Sequence, residues 1–433
     1  MKEDFQTVQE LCTSVISGGT PSRGNASYWD EGDIPWMKTG EIKQNFIYAT
    51  EEYITQLGLN NSAAKMIPKN SVVVALYGDG YTAGSVATNK IPLTTNQACC
   101  NLIIDDTKAH YGFVYYYLKG SYSNLVSLKS GASQQNLNGL TIKSFPILKV
   151  ALPIQRKIAA ILTAYDDLIE TNKRRIAVLE KMAEELYREW FVRMRFPGHQ
   201  SAKFVKGVPE GWEELKLDDL IPGDGLETGK RPKGGAEDSG IPSIGAENVV
   251  GIGRYNFSKE KYVNESFYSA MRQGKVRGKD VLFYKDGAEI GRVSLFQDGF
   301  PYSECCVNEH VFLIRTQNLR YQYFLYFYLS QPQLREYVKL INKNAAQPGI
   351  NKAELRSIPV VLPPSSLVED FDKLVSPLAS ELFTLAKTDI ILQQTRDLLL
   401  PRLISGKLSV EDLDIQFPPS MQEKATEPEP AHA

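Results

Sequence analysis

Along this chain the spacing of apolar residues switches period twice, in the same order each time. Short runs rich in β-branched and apolar residues (71–76, 280–283, 311–314), set between Gly-rich turns, predict strands of a mixed α/β globule. Each globule gives way to a helical stripe. In the first stripe Ile158, Leu162, Tyr165, Ile169, Asn172, Ile176, Leu179, Ala183, Leu186 and Trp190 follow alternating steps of four and three, the seam of a coiled coil. In the second, Leu378, Leu385, Leu392 and Leu399 recur at steps of seven, flanked by Phe371, Leu374 and Leu382. The face opposite the first seam is charged (Arg156, Lys157, Lys173, Arg174, Arg175, Lys181, Glu184, Glu185), which argues against the core of one large domain. Two such stripes in one chain predict helices that bury each other. A Leu-Pro pair opens each, at Leu152-Pro153 and Leu362-Pro363, and proline suits a first helical turn because its missing N–H would be unpaired there anyway. Asn172 is either a polar residue that sets register or a place where the seam meets solvent or another subunit.

The two halves are copies. Tyr77-Gly78-Asp79-Gly80 with Gly84 and Val86 returns as Tyr284-Lys285-Asp286-Gly287 with Gly291 and Val293, and Tyr115-Tyr116-Tyr117-Leu118 returns as Tyr326-Phe327-Tyr328-Leu329. Ala132, Gln134, Asn138, Ser144 and Pro146 match Ala345, Gln347, Asn351, Ser357 and Pro359. A drifting long-period offset means one duplicated unit with small loop insertions. The predicted fold is therefore α+β: two similar mixed α/β globules joined by two long antiparallel coiled-coil helices with a pseudo-two-fold internal repeat. The expected boundaries are 1–151 and 197–361 for the globules, 152–196 and 362–407 for the helical spacers, and 408–433 for a disordered acidic, Pro-rich tail.

Composition narrows the class. The 433 residues imply two or three domains, and 42% hydrophobic with 23% charged residues is the balance of a globular protein. No run of 18 apolar residues occurs and the first residues lack the apolar core of a secretory signal, so a cytoplasmic location is expected, with no membrane. Five cysteines without a C-x-x-C argue against a disulfide framework or zinc ribbon and predict packed thiols. The net charge of −2 disfavours a nucleic-acid partner at first sight. From Leu408 onward, however, six carboxylates face one lysine, which leaves the preceding 407 residues at +3.

Catalytic patterns are missing. Gly229-Lys230 lacks the upstream glycine of a phosphate-cradling loop, and 78–84 is not a dinucleotide fingerprint because its third glycine falls one place late. Neither Pro-Pro pair belongs to an Asn-Pro-Pro-Tyr-like adenine methyltransferase tetrapeptide, and His110, His199, His310 and His432 have no metal or triad spacing. The expectation is a chain with no catalysis of its own and no metal site. A self-contained two-domain DNA-modifying or hydrolytic enzyme is the alternative, which these omissions count against; a purely structural coiled-coil scaffold is a third.

Several marks then point to one family. Gly18-Gly19-Thr20-Pro21-Ser22, the run Ile34-Pro35-Trp36-Met37-Lys38-Thr39-Gly40-Glu41-Ile42 with its echo Ile241-Pro242-Ser243-Ile244-Gly245-Ala246-Glu247-Asn248, the opening Val208-Pro209-Glu210-Gly211-Trp212, and the Leu-Pro helix closing each half are each weak alone. In this order, and duplicated, they resemble the specificity subunit of type I restriction-modification systems, the HsdS family. The resemblance implies that each globule is a target recognition domain reading one half of a bipartite DNA site, with the helices as the spacer. A helix of about 40 residues spans about 60 Å, and readers on one face of a duplex want separations near one turn, about 34 Å, or a multiple. It further implies two modification subunits that use S-adenosylmethionine, optional restriction subunits that use ATP and Mg, and double-stranded DNA as partner, with no cofactor on this chain. Arg174, Arg175, Glu184 and Glu185 are then candidate docking charges or merely solvated helix faces.

Because base and phosphate readers sit on loops in such domains, the candidates are Arg, Lys, Asn, Gln, Ser, Thr and aromatics in the Gly-rich loops. The first globule offers Lys38, Thr39, Tyr77, Tyr81, Thr82, Ser133, Gln134, Gln135 and Asn136. The second offers Lys230, Arg231, Lys233, Arg254, Tyr284, Lys285, Arg292, Lys343, Asn344 and Gln347. Matching positions favour Gln134 and Gln347. Asp79-Gly80 and Asp286-Gly287 read as structural turns, and the Tyr115–Tyr117 and 323–328 aromatic runs as core helices rather than stacking platforms.

Overall fold

The computed structural model describes residues 4–78, 82–129, 136–341 and 348–422, which fall into two compact units, Met1–Leu168 with Leu392–Ala433 and Ile169–Ile391. In the first unit, strand Val72–Ala75 is buried along its whole length, which is why it reads as an unbroken apolar run. Its residues still alternate. Val72 and Val74 pack with the aromatic helix Tyr111–Gly120 (Phe113, Tyr115, Tyr116), while Val73 and Ala75 face a second cluster with Met37, Ile42 and Ile47. The 111–120 run is thus a core helix. The sheet order is Cys12–Ser17, Cys99–Ile104, Val72–Ala75, Val86–Asn89, Phe46–Ile47, antiparallel except at the last pair. A three-stranded sheet (Glu52–Ile54, Ile34–Met37, Thr94–Thr95) and the pair Phe5–Thr7 with Pro146–Leu148 complete it.

The second unit repeats this order, without a counterpart of the fifth strand Phe46–Ile47. Leu226–Thr228, Val311–Ile314, Asp280–Tyr284 and Val293–Phe296 form the larger sheet, and Tyr262–Val263, Ile241–Ile244 and Cys306–Val307 the smaller. In both smaller sheets the first neighbour is antiparallel and the second parallel. Glu213–Lys216 pairs with Pro359–Leu362 as Phe5–Thr7 does with Pro146–Leu148. Mixed α/β content is therefore present twice. The glycine marks have a packing cause: a Cβ on Gly18 would stand 2.2 Å from the Asn96 carbonyl oxygen, and one on Gly229 1.5 Å from that of Val307, so only glycine lets these backbones approach.

Two long helices carry the stripes. The first, Leu152–Tyr187, holds Pro153 in its opening turn as expected and ends in a π-helical turn, Arg188–Val192, instead of continuing to 196. The second starts at Ser365, later than the Leu362-Pro363 expected to open it, and runs to Ile404. Leu362 finishes a strand, and proline at 363 and 364 holds the preceding backbone out of the helical region.

In the first unit Ile158 and Leu162 share a cluster with Leu400, Leu403 and Ile404, and Asp166 forms a buried 2.5 Å ion pair with Arg396. In the second unit Asn172 Nδ2 donates to Asp389 Oδ1 at 2.8 Å, Arg175 pairs with Glu381 at 2.7 Å, and Tyr187 meets Phe371. Within that unit, ascending numbers on one helix meet descending numbers on the other. Ile169, Asn172 and Ile176 are buried as the spacing predicts; Tyr165, Leu179 and Leu186 are half-buried. On the second helix the buried stripe is Phe371, Val375, Ala379, Leu382, Leu385, Ala386 and Asp389, with Leu378, Leu392 and Leu399 half-buried at its flanks. Of the steps of seven only Leu385 falls in the buried stripe; the others lie in a row beside it, and Leu374 is exposed. Arg174 pairs with Glu170, and Glu184 and Glu185 pair with Arg188.

The expected tail divides. Up to Gln422 it packs: Val410 is buried, Lys157 Nζ donates to the Glu411 carbonyl at 2.6 Å, and Ser420 Oγ donates to Asp167. Composition missed this because a few apolar residues, Val410 and Ile415, suffice to dock a short acidic segment. Residues 423–433 lie outside the described part. All five cysteines are free thiols, four of them buried, and burial pushes Cys99, Cys100 and Cys305 up to about 12. No helix among the described residues is long and apolar enough to cross a membrane.

Candidate nucleic-acid interface

In each unit a backbone hydrogen bond ties the segment that follows the central strand to a later segment of the chain. In the first, the Leu137 N–H donates to the Leu76 carbonyl at 2.9 Å, tying Asn136-Leu137 to the residues just after strand Val72–Ala75. In the second, the Ile350 N–H donates to the Lys285 carbonyl at 2.8 Å, and Gly287 N–H to the Pro348 carbonyl, tying residues 348–350 to 285–287. In each pair one segment follows a central strand, Val72–Ala75 or Asp280–Tyr284, and the other precedes a short helix, Gly139–Lys143 or Lys352–Arg356; loops held on such a base are free to vary in sequence.

On these loops the structure places Tyr77 and Asn136, both half-buried, and Tyr284, Lys285 and Arg292. Thr82 is buried. Tyr81, Ser133, Gln134, Gln135, Lys343, Asn344 and Gln347 lie outside the described residues, as does Asp79. Lys285 pairs with Asp286 at 2.8 Å, and Asp286 also holds His310 Nδ1 at 2.6 Å. The Arg292 guanidinium sits over the Tyr284 ring and donates to the Ala246 carbonyl at 2.9 Å. Sequence reasoning set Asp286 aside as a turn residue and found no partner for His310; nothing in their spacing signals that they meet.

Other candidates lie elsewhere. Lys38 is engaged with Glu51 and Glu52, and Thr39 is buried with its hydroxyl donated to Asn96 Oδ1 at 2.9 Å. Both belong to a turn that recurs: Lys38 N–H donates to Glu41 Oε1, and Gly245 N–H to Asn248 Oδ1, each at 2.8 Å. Trp36 of the same run donates its ring N–H to the Gly19 carbonyl, so the Gly18-Gly19 and Ile34–Ile42 marks are one packed feature. Arg254 pairs with Glu180 of the first long helix, a carboxyl that burial raises above its usual range. Lys230, Arg231 and Lys233 are all exposed on a separate loop.

Beneath that loop lies a buried ionic cluster absent from the sequence reading. Arg315 is gripped by Asp280 through Nε at 2.6 Å and a second nitrogen at 2.6 Å, by Glu227 at 2.5 Å, and by the Lys275 carbonyl at 2.8 Å. Burial pushes the Asp280 carboxyl above its ordinary value against the pull of Arg315. Among the described residues no cluster of His, Cys, Asp and Glu fit for a metal occurs.

A repeated fold with paired loops fits many functions. The deciding observation is a family match to the Type I restriction modification DNA specificity domain, found twice, over residues 2–181 and 209–374. This chain belongs to that family. The type I specificity subunits similar to it include the MjaIX specificity subunit of Methanocaldococcus jannaschii, 28% identical over 95% of this chain and 94% of the relative. The MjaVIII specificity subunit of the same organism is 22% identical over 87% and 89%. Among solved structures, the type I restriction-modification S subunit from M. genitalium shares the fold at a TM-score of 0.56 and 18% identity, covering 93% of this chain and 96% of that one. The two family-model matches coincide with the two copies of the strand order described above.

Proposed function

We propose that this chain is the DNA sequence-recognition subunit of a type I restriction-modification assembly, each globule reading one half of a bipartite site. The observation that carries the proposal is the doubled loop pair: two copies of one scaffold share a tyrosine, Tyr77 and Tyr284, and differ beside it, Gly78 against Lys285 and Ser85 against Arg292. Like scaffolds with different flanking residues suit two different half-sites, because lysine and arginine pair with guanine or phosphate, whereas glycine offers no side chain and serine only a hydroxyl at the matching positions. The candidates outside the described residues, Gln134 and Gln347 among them, are assigned to the same readers.

In this reading the two long helices form an antiparallel coiled coil, with a pseudo-two-fold relation between the halves, and fix the gap between half-sites. The Asn172–Asp389 bond and the opposed numbering of helix contacts support it. The chain performs no chemistry itself. Two modification subunits bring S-adenosylmethionine and methylate a base flipped from the duplex, and restriction subunits, where present, bring ATP and Mg. The helix faces bearing Arg174, Arg175, Glu184 and Glu185 are proposed docking surfaces.

The test is a swap of residues 1–151 for the corresponding globule of another family member, assayed with the modification subunits. One half of the methylated site should change and the other stay; a simultaneous change of both would overturn the modular reading. The purified chain alone should neither methylate nor cleave DNA, and robust activity without partners would overturn the non-catalytic assignment.

A further inference from the structure

Away from the paired loops, the second unit carries an open cleft of about 1070 Å³ between the 222–227 segment, the end of helix Glu265–Ala270 and residues 315–319. Its floor is cationic and preorganised. Arg315 is held from below by Asp280 and Glu227, and Lys352 Nζ is fixed on the Leu226 carbonyl at 2.8 Å. Its rim carries Lys230, Arg272 and Arg277, whose side chains make no hydrogen bond or ion pair among the described residues. The lining offers only two carboxylates against these five cations, and one of them, Glu227, is already bound to Arg315 and to the Gly274 N–H. The sequence did hold a signal: 271–279 contains Arg272, Lys275, Arg277 and Lys279 with no acid.

A concave surface with low-dielectric walls and one dominant sign of charge focuses the field on a ligand of opposite sign. Guanidinium forks match phosphate oxygens, and a lysine adds a point charge. The cleft exceeds the range of about 300–1,000 Å³ common for a single small ligand, which fits an extended polyanion better than one ion. We infer that this cleft receives a stretch of DNA phosphodiester backbone, with Lys230, Arg272 and Arg277 pairing with phosphates and anchoring the second globule on its half-site. This rests on the DNA-recognition reading above and adds to it a binding surface separate from the paired loops.

The test uses the full chain and a fluorescent DNA duplex of random sequence, with binding measured across a salt titration. Every cation that pairs with a phosphate adds about 0.9 to the steepness of log K against log salt, so K230Q/R272Q/R277Q should lower that slope by about 2 to 3 and weaken binding more than about tenfold at about 0.1 M salt. The charge-keeping K230R/R272K/R277K should retain the slope, and so should K203Q/K206Q, at exposed lysines outside the cleft. If the unaltered chain fails to bind duplex, the DNA-recognition reading itself fails. If it binds and K230Q/R272Q/R277Q keeps its slope, or K203Q/K206Q lowers it as much, or the charge-keeping variant loses it, the cleft inference is overturned.

Discussion

The turns that precede the central strand of each globule are alike in design and opposite in chemistry. In the first, Asn70 sits in the left-handed region at φ 67° and Ser71 Oγ donates to the Pro68 carbonyl at 2.8 Å. In the second, Lys279 sits at φ 66°, and Asp280 Oδ2 accepts the Arg277 N–H at 2.7 Å. Asparagine tolerates that backbone conformation and lysine does not favour it, yet Lys279 is held there by Asp372 and the Tyr323 ring. Where Ser71 only closes its turn, Asp280 closes the turn and clamps Arg315. A duplicated scaffold thus keeps its backbone geometry while one side chain per position decides whether the surface above is neutral or charged.

The comparison breaks most sharply at Arg315. Arg315→Met leaves the Asp280 and Glu227 carboxylates buried without their partner and should destabilise by about 3–5 kcal/mol in chemical denaturation. Ser71→Ala, at the matching turn, should cost about 1 kcal/mol. Equal losses at the two sites would mean that the ionic cluster adds nothing to the shared turn.

Titration should distinguish the halves next. His110 caps helix Tyr111–Gly120 by accepting the Gly112 N–H at Nδ1, and burial, aided by Arg156 and Lys90, pushes it down to about 4. The unfolded chain takes up this proton near pH 6.5 and the folded chain only near 4, so the stability is full above about 6.5 and is lost as pH falls through that window. Between about pH 7 and 4.5 the loss from this residue is about 2 kcal/mol. His110→Asn keeps a cap and should remove that part of the acid sensitivity, read as the difference between melting curves at the two pH values. The corresponding helix of the second unit, Gln322–Ser330, has no side-chain cap at Tyr321.

Smaller effects sharpen the picture of the helices. Asn172→Ala leaves Asp389 without its 2.8 Å donor and should cost about 1–3 kcal/mol, whereas replacing both by leucine should restore or raise stability while loosening register. Least of all, the matched caps Asn138 and Asn351 should differ. Asn351 serves two N–H groups and has Glu354 returning a bond to its own N–H, while Asn138 serves one, so Asn351→Ala should cost about 1 kcal/mol and Asn138→Ala less, by denaturant melts.

Much of this was legible from sequence because it depends on local period. The heptad steps located Ile158, Leu162 and Ile176 correctly on a buried face, and the long offset announced the doubled strand order from residue spacing alone. What escaped depends on tertiary approach. The Arg315, Asp280 and Glu227 cluster draws on three segments distant in sequence, and the Asp286–His310 pair joins loops 24 residues apart. Arg254 looked like a free loop cation until Glu180 stood beside it, and Thr39 like an exposed loop hydroxyl until Asn96 did. Residue type marks a capable side chain; only packing shows whether its capacity is already spent.

Methylation-aware sequencing of DNA from cells carrying this chain with the modification subunits proposed above tests the two-reader account most directly. The account predicts one methylated motif made of two short, different half-sites separated by a fixed number of unspecified bases. A single uninterrupted short motif would contradict it.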